Sequence, residues 1–270
     1  MSEDPFADFE VLGELAYGYD SLVLKIHDRR LDRVCALKVS MPEPDPNHVA
    51  RTRPLRAARI QAVVQHPNVV QLYAVSENEG RIFFLMELVE GGNLAQKLDG
   101  KPWAPDQAVA IIAALAGAVH AVHRQGLVHR DINPWHILLT TDGQPKLTGF
   151  RFARPIETTG QARSTGIVFG VPGYLSPEQA LDKQDEVGPA SDIWALGVVL
   201  FQLLTGRLPF QGKSRVDTLR QTVEGDLEFP NQCPPGICPK LEAICVKCLE
   251  KLPHHRYSTA AALAEDLRCS

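Results

Sequence analysis

The chain has 270 residues, a formal net charge of -4 and 44% hydrophobic residues. This length and apolar content suffice for one large globular domain or for two lobes around a cleft. The slightly acidic balance gives no bulk attraction to nucleic acid or anionic membranes, so we expect neither as a partner. The acidic start lacks the apolar segment of a signal peptide, and no run reaches the roughly 18 apolar residues of a membrane span. We therefore expect a cytoplasmic protein.

Four of the six cysteines lie close together near the C-terminal end of the sequence. A zinc site is one interpretation, because four thiolates within a short span can complete a tetrahedron. The spacing does not form paired C-x-x-C motifs, however, and two of the cysteines fall in an apolar helical pattern. The sequence therefore favours ordinary core cysteines and no metal site. The four residues are Cys233, Cys238, Cys245 and Cys248.

The first third of the chain has the pattern of an antiparallel sheet. Short runs rich in β-branched residues alternate with polar punctuation, which is typical of strands. The predicted strands are Val11–Leu12, Leu22–Ile26, Val34–Val39, Val69–Val75 and Arg81–Leu88. A proline-rich loop and then a basic helix, from about Leu55 to Gln65, separate the third strand from the fourth. These features predict a small lobe of five strands and one helix.

After Gly91 and Gly92 the pattern changes to helices. A long apolar helix is predicted from Gln107 to Arg124, and a second segment is apolar on nearly all sides, which predicts a helix inside the lobe. Shorter patterns indicate outer helices, and the last of them has Ser258 as its expected N-cap. The buried helix and the three outer ones are predicted at Ser191–Leu204, Leu219–Glu224, Leu241–Leu252 and Thr259–Leu267.

The segment HRDINPWHILLTTDGQPKLTGFR, from His129 to Arg151, resembles the catalytic and metal-binding loops of protein kinases, where H-R-D-L-x-x-x-N precedes D-F-G. Other motifs of that family follow in its order and at its spacing. They are Val34–Lys38 for V-A-I-K, His66–Val70 for the segment after helix αC, Met86–Val89 for the hinge, Gly173–Glu178 for A-P-E, and Ser191–Gly197 for the central helix. The chain is thus identified as a member of the protein kinase superfamily, similar to bacterial Hanks-type serine/threonine kinases.

The resemblance implies an α+β fold with two lobes in a single domain over residues 1–270. A five-stranded antiparallel β lobe with helix αC would cover about 9–89, and a larger, mainly helical lobe about 90–268. The resemblance also implies an ATP site. Its residues would be Gly18 in the phosphate loop, Val23, Ala36 and Leu138 around the adenine, Lys38 at the phosphates, and main-chain groups of Glu87 and Val89 at the hinge.

The resemblance also implies roles for residues of the helical lobe. Asp131 occupies the position of the catalytic base. Asp192 would hold the backbone of the H-R-D motif, and Arg256 would pair with Glu178.

Both positions that hold Mg²⁺ in the family have changed in this chain. The aspartate of D-F-G is replaced by Gly149, and the asparagine of the catalytic loop by His136. Glycine has no side chain to act as a ligand, and a neutral imidazole suits zinc or copper better than the hard Mg²⁺ ion. Arg151 adds a positive charge beside the place that the metal would occupy. We therefore do not expect Mg²⁺ to bind.

Other positions that contact phosphate in the family have changed as well. The glutamate that pairs with Lys38 falls at Ala57, and the predicted basic helix around it contains no acidic residue. The lysine of the catalytic loop is Asn133, and the threonine that it contacts is Val171. Of the three glycines in the phosphate loop only Gly18 remains, which weakens close backbone contact with phosphates.

The losses are selective, because residues that support the fold are kept while most residues that contact metal or phosphate are replaced. We interpret the chain as a pseudokinase that scaffolds or regulates an active kinase or another effector and binds ATP weakly without Mg²⁺. In this interpretation Asp131 has only a structural role, as a polar residue that stabilises a turn. One alternative is an active serine/threonine kinase with a rearranged metal site at Asp131, His136 and Asp142. Another is a kinase-fold enzyme that catalyses a different nucleotidyl transfer.

Overall fold

The structure, a computed structural model, describes residues 8–18, 21–40, 61–78, 80–156, 168–229 and 238–270. The chain forms two compact units. The first comprises Met1–Gln65 and Val70–Glu90, and the second comprises His66–Val69 and Gly91–Ser270. Some sequence predictions lie outside the described residues. They concern the part of the predicted basic helix before residue 61, including Ala57, and Cys233.

The first unit contains the predicted five-stranded antiparallel sheet. Its strands are β1 (Phe9–Tyr17), β2 (Ser21–Asp28), β3 (Arg33–Ser40), β4 (Leu72–Asn78) and β5 (Arg81–Met86). They pair in the order β1-β2-β3-β5-β4, and every pairing is antiparallel. The five predicted strands are thus confirmed, with ends that differ by a few residues. β1 in particular is longer than its two-residue apolar pattern indicated.

One face of this sheet carries the core of the first unit. Cys35, Leu37 and Val39 alternate along β3 and are buried together with Ile26 and Leu85. Because successive side chains of a strand point to opposite faces, the residues between them lie on the other face. Ala36 and Lys38 therefore share the face opposite this core.

The second unit is mainly helical, as predicted. Its α-helices in the described residues are α1 (Pro105–Arg124), α2 (Pro177–Ala180), α3 (Pro189–Thr205), α4 (Arg215–Glu224), α5 (Pro239–Cys248) and α6 (Ala260–Arg268). Short strands form two small ladders. β6 (Leu127–Val128) pairs with β9 (Arg154–Pro155), and β7 (Ile137–Leu139) pairs with β8 (Pro145–Leu147).

Helix α3 forms the centre of the second unit, because thirteen of its seventeen residues are buried. Helix α1 packs against α3 and α6, and its apolar residues are buried in the same core. Among the described residues, α1 is the helix whose length and composition would allow it to cross a membrane, but half of its apolar window is buried inside the protein. This burial agrees with the prediction of a core helix.

Several details of the predicted helices were wrong, among them the start of α4, which lies at Arg215 and not at Leu219. The N-cap of α6 is Thr259, whose Oγ1 accepts a hydrogen bond from the amide of Ala262 at 3.1 Å, so Ser258 is not the cap. Helix α5 ends at Cys248, four residues before the predicted end. The prediction for the cysteines of this helix is confirmed, since Cys245 and Cys248 are both fully buried and Cys248 packs on Gly197 of α3.

Candidate active site

The loop that follows β6 is held by the buried carboxylate of Asp192. The side chain of Asp192 accepts hydrogen bonds from the backbone amides of His129 and Arg130, each at 2.8 Å. These bonds hold Arg130 in the left-handed conformation, with φ of 71°, which is uncommon for a residue with a side chain. The role that the family resemblance implied for Asp192 is therefore visible in the structure.

The structure adds one residue to this anchor that sequence reasoning missed. His123, in the last turn of α1, places its Nε2 at 2.8 Å from Oδ2 of Asp192, and its side chain is only 8% exposed. The signal in the sequence was its position on the buried face of α1, in helical register with Ile112, Ala116 and Val119. A histidine on such a face requires a polar partner.

His129 is completely buried and is held as a neutral imidazole. Its Nε2 donates to the carbonyl of Thr148 at 2.9 Å, while its Nδ1 accepts from the amide of Asp131 at 3.3 Å. Phe150 packs edge-on against the ring at 4.7 Å between centroids. Burial lowers the pKa of His129 from 6.5 to about 4, although the nearby Asp192 opposes the shift. His129 thus couples the catalytic loop to the strand that leads to Gly149.

The Asp131 carboxylate is buried and is bonded within its own loop. The side-chain amide of Asn133 donates to Oδ1 of Asp131 at 3.0 Å and to the Asp131 carbonyl at 3.0 Å. The Oδ1 of Asn133 accepts from the amide of Trp135 at 3.1 Å and thereby caps the short turn that follows. Asn133 therefore orders this turn, a role that a lysine at the same position could not perform because it has no acceptor.

His136 lies where the family has its second metal ligand, and its ring points at the position of the first. The Nδ1 of His136 donates to the carbonyl of Asp131 at 2.8 Å and lies 3.3 Å from its Oδ2. Gly149 has the left-handed conformation, with φ of 87°, and its Cα faces this ring. A Cβ at Gly149 would lie 2.4 Å from Cγ of His136. The imidazole thus fills the space in which a side chain at Gly149 would begin.

These contacts do not fit the Mg²⁺ ions that the kinase fold implies. A magnesium site requires oxygen ligands in nearly octahedral geometry. Here one ligand position has no side chain, and the other has an imidazole whose Nδ1 donates to a carbonyl. Within the described parts of the chain, no three or more His, Cys, Asp or Glu side chains are grouped so that they could hold a metal ion.

The segment before α2 covers Asp131. Gly170 has φ of 101°, and a Cβ at that position would lie 3.4 Å from Oδ1 of Asp131. Arg215, at the start of α4, donates to the carbonyls of Val168 and Gly170 at 2.6 and 3.3 Å. Arg215 therefore fixes this segment beside Asp131, which helps to explain why Asp131 is only 7% exposed.

Behind this segment, Glu178 and Arg256 form the buried ion pair that the resemblance implied. The two terminal guanidinium nitrogens of Arg256 donate to the carboxylate, at 2.8 and 2.9 Å, and Ser191 donates to the same carboxylate at 2.7 Å. Burial raises the pKa of Glu178, but hydrogen bonds and charge from Arg256 outweigh that effect, so its pKa lies below the usual value. Arg256 also donates to the carbonyls of Ala190, Glu250 and Lys251.

Three of the six predicted nucleotide-binding residues of the first unit lie on one face of the sheet. Val23 is directly opposite Lys38 in the pairing of β2 with β3, so the two side chains share the face of Ala36. The amide of Glu87 donates to the carbonyl of Gln71 at 2.9 Å, so an adenine contact at Glu87 would have to use its carbonyl.

The remaining predicted residues lie at separate positions. The amide of Gly18 donates to the carbonyl of Ser21 at 2.8 Å. Val89 follows β5 in the first unit. Leu138 lies in β7 of the second unit, two residues after His136, and pairs with Lys146 of β8.

Comparison with known proteins agrees with this geometry. The model of the protein kinase domain family matches residues 9–267. Serine/threonine-protein kinase PknL of Mycobacterium tuberculosis is 34% identical over 258 residues, which cover 95% of this chain and 64% of that protein. Serine/threonine-protein kinase PknB of Mycobacterium leprae is 36% identical over 267 residues, which cover 96% of this chain and 42% of that protein.

A relative from another genus gives the same result. A probable serine/threonine-protein kinase of Streptomyces coelicolor, SCO3848, is 35% identical over 267 residues, covering 96% of this chain and 39% of its own length. The chain therefore spans between two-fifths and just under two-thirds of the relatives that it matches. With its five-stranded antiparallel sheet, helical second unit and kinase motifs, this chain belongs to the protein kinase family and is related to bacterial Hanks-type serine/threonine kinases.

Proposed function

We propose that the chain is a pseudokinase, a kinase-fold protein that scaffolds or allosterically regulates an active kinase or another effector and binds ATP weakly without Mg²⁺. The observation that carries this proposal is the contact of His136 with Gly149. These two residues occupy both metal-ligand positions of the family. The imidazole of His136 fills the space that a side chain at Gly149 would need.

Catalysis in this family depends on bound metal ions as well as on protein side chains. Phosphoryl transfer requires positioning of the γ-phosphate and neutralisation of its charge, and the metal ions bridge the β- and γ-phosphates. Without ligands for those ions, the carboxylate of Asp131 has no positioned phosphate to act upon. The hydrogen bonds of Asp131 within its loop support the interpretation that it is now a structural residue.

Retained residues support a role in binding. The buried pair of Glu178 and Arg256 and the anchor at Asp192, which the family resemblance implied, join separate segments of the second unit. Lys38 remains on β3, on the same sheet face as Val23 and Ala36, where it could contribute to weak nucleotide binding. A protein partner, such as an active kinase, would then recognise a folded domain rather than a catalytic centre.

The alternative is an active serine/threonine kinase, and the names of the relatives favour it. It would need a rearranged metal site that includes Asp131, His136 and Asp142. Asp142 lies in the turn between β7 and β8, where it accepts a hydrogen bond from Oγ1 of Thr140. Three residues of strand separate His136 from this turn, a span of about 10 Å at roughly 3.3 Å per residue. This geometry favours the pseudokinase.

Phosphate incorporation tests the proposal. Wild-type protein and the Asp131→Asn variant are incubated with radiolabelled ATP, Mg²⁺ or Mn²⁺, and a generic basic protein. Loss of one well-placed electrostatic group costs about 10² to 10³ in rate, and here several such groups are absent. We expect wild-type incorporation to equal that of Asp131→Asn, at least about 10⁴-fold below an active kinase domain that turns over at about 1–100 s⁻¹. If the wild type incorporates phosphate into itself or into the basic protein, and Asp131→Asn abolishes that incorporation, the chain is a working kinase.

A further inference from the structure

Gly149 and His136 are in closer contact than two ordinary neighbours. A Cβ built on Gly149 would lie 2.4 Å from Cγ of His136 and 2.6 Å from both its Cδ2 and its Nδ1. Real Cβ atoms almost never approach other heavy atoms so closely. Because Cγ lies on the axis of the ring's own rotation, turning the ring about the Cβ–Cγ bond would not relieve the overlap, and the whole side chain would have to rotate to another χ1 rotamer.

The surrounding contacts oppose such a rotation. The ring is held through Nδ1 by the carbonyl of Asp131 at 2.8 Å. The backbone of His136 is held on both sides, because its amide donates to the carbonyl of Asn133 at 3.0 Å and its carbonyl accepts from the amide of Thr148 at 2.9 Å. Thr148 directly precedes Gly149, so the two segments are joined next to the contact. A turned ring would lose its bond to Asp131.

We propose that the residues at positions 136 and 149 are sterically coupled. The imidazole of His136 occupies the metal-binding position and excludes any side chain at residue 149. A carboxylate can then return at residue 149 only if His136 is replaced as well. The expected gain of metal binding rests on the proposed function, whereas the steric coupling of the two residues does not.

The backbone alone does not exclude a carboxylate at this position. Asp and Asn adopt the left-handed conformation more readily than other residues with side chains. Gly143 provides a matched control, because it has nearly the same φ, 83° against 87°, and nothing lies within 4 Å of a Cβ built on it. The variant Gly143→Asp therefore measures the conformational cost of Asp, and Gly149→Asp measures that cost plus the overlap with His136.

Thermal unfolding of the wild type and four variants tests the coupling. The variants are Gly143→Asp, Gly149→Asp, His136→Ala and the double variant His136→Ala/Gly149→Asp, because alanine lacks the Cγ atom at which the overlap is closest. We expect Gly149→Asp to lower Tm by at least about 5 °C more than Gly143→Asp does. In the His136→Ala background, Gly149→Asp should cost no more than Gly143→Asp costs in the wild type. An equal cost of Gly149→Asp in both backgrounds would overturn the proposal.

Metal binding is measured on the wild type, on Gly149→Asp and on the double variant His136→Asn/Gly149→Asp by titrating Mn²⁺ in the presence of ADP and following Tm. We expect a metal-dependent rise in Tm only in the double variant, where the introduced carboxylate and carboxamide would both supply oxygen ligands. If the double variant shows no rise, His136 is not what keeps the metal out, and this part of the inference fails. If the wild type shows the same rise, the proposed function fails, whereas the steric coupling is still judged by the unfolding data.

Discussion

Replacing Arg256 with alanine should lower the free energy of unfolding by about 3–5 kcal/mol, because the change leaves a buried carboxylate without its partner. Glu178 is 2% exposed and Arg256 is 4% exposed. The bidentate bonds of 2.8 and 2.9 Å would be lost, together with the guanidinium bonds to three backbone carbonyls. Urea denaturation at neutral pH, with the slope held common, measures the effect.

The pair of Lys183 and Glu186 provides the matched control. Its atoms are 2.9 Å apart, as in the buried pair, but both side chains are nearly half exposed. Exposed pairs contribute between about 0 and 1 kcal/mol, so Lys183→Ala should change stability little. If Arg256→Ala is as mild as Lys183→Ala, the pair of Glu178 and Arg256 does not hold the second unit together as we describe.

Stability should fall by about 3 kcal/mol between pH 7 and pH 4 because of His129 alone. Its pKa is about 4 in the folded protein, against 6.5 for an exposed histidine. Below pH 6.5 the unfolded chain binds a proton that the folded protein does not, so the free energy of unfolding decreases as the pH falls toward 4. The contribution of His129 is thus complete above pH 6.5 and is lost through this window.

The variant His129→Phe should reduce this pH dependence. It gives up the bond to the Thr148 carbonyl, so we expect lower stability at pH 7, but it has no proton to bind between pH 6.5 and pH 4. His254→Gln, a substitution at an exposed histidine, serves as the control. Urea titrations at several pH values measure all three proteins. An unchanged slope in His129→Phe would contradict a neutral, buried His129.

Much of the fold could be predicted from local patterns. Alternating apolar residues indicated the strands of the first unit, and a segment apolar on all sides indicated the buried helix α3. The ends of elements were less accurate, because several candidate caps stand next to each other, as Ser258 and Thr259 do, and only the backbone geometry of the chain decides between them.

Site residues that belong to a sequence motif could be predicted. Contacts that depend on the three-dimensional packing of side chains could not. The changes at His136 and Gly149 could be read from the motifs. The motifs did not reveal that the imidazole of His136 fills the space beside the Cα of Gly149. That contact depends on the left-handed backbone of Gly149 and on the bond from His136 to Asp131. The bond from His123 to Asp192 was missed similarly, since it joins residues 69 positions apart.

Equilibrium binding of ATP to the wild-type protein, measured by titration calorimetry with Mg²⁺ and again with a chelator, tests the central claim most directly. A chain without metal ligands should bind ATP equally in both buffers, within about twofold. Absence of binding in both would remove the nucleotide from the proposal and leave the scaffold. Binding that is tenfold or more tighter with Mg²⁺, about 1.4 kcal/mol, would show that the site holds the metal and would contradict the account.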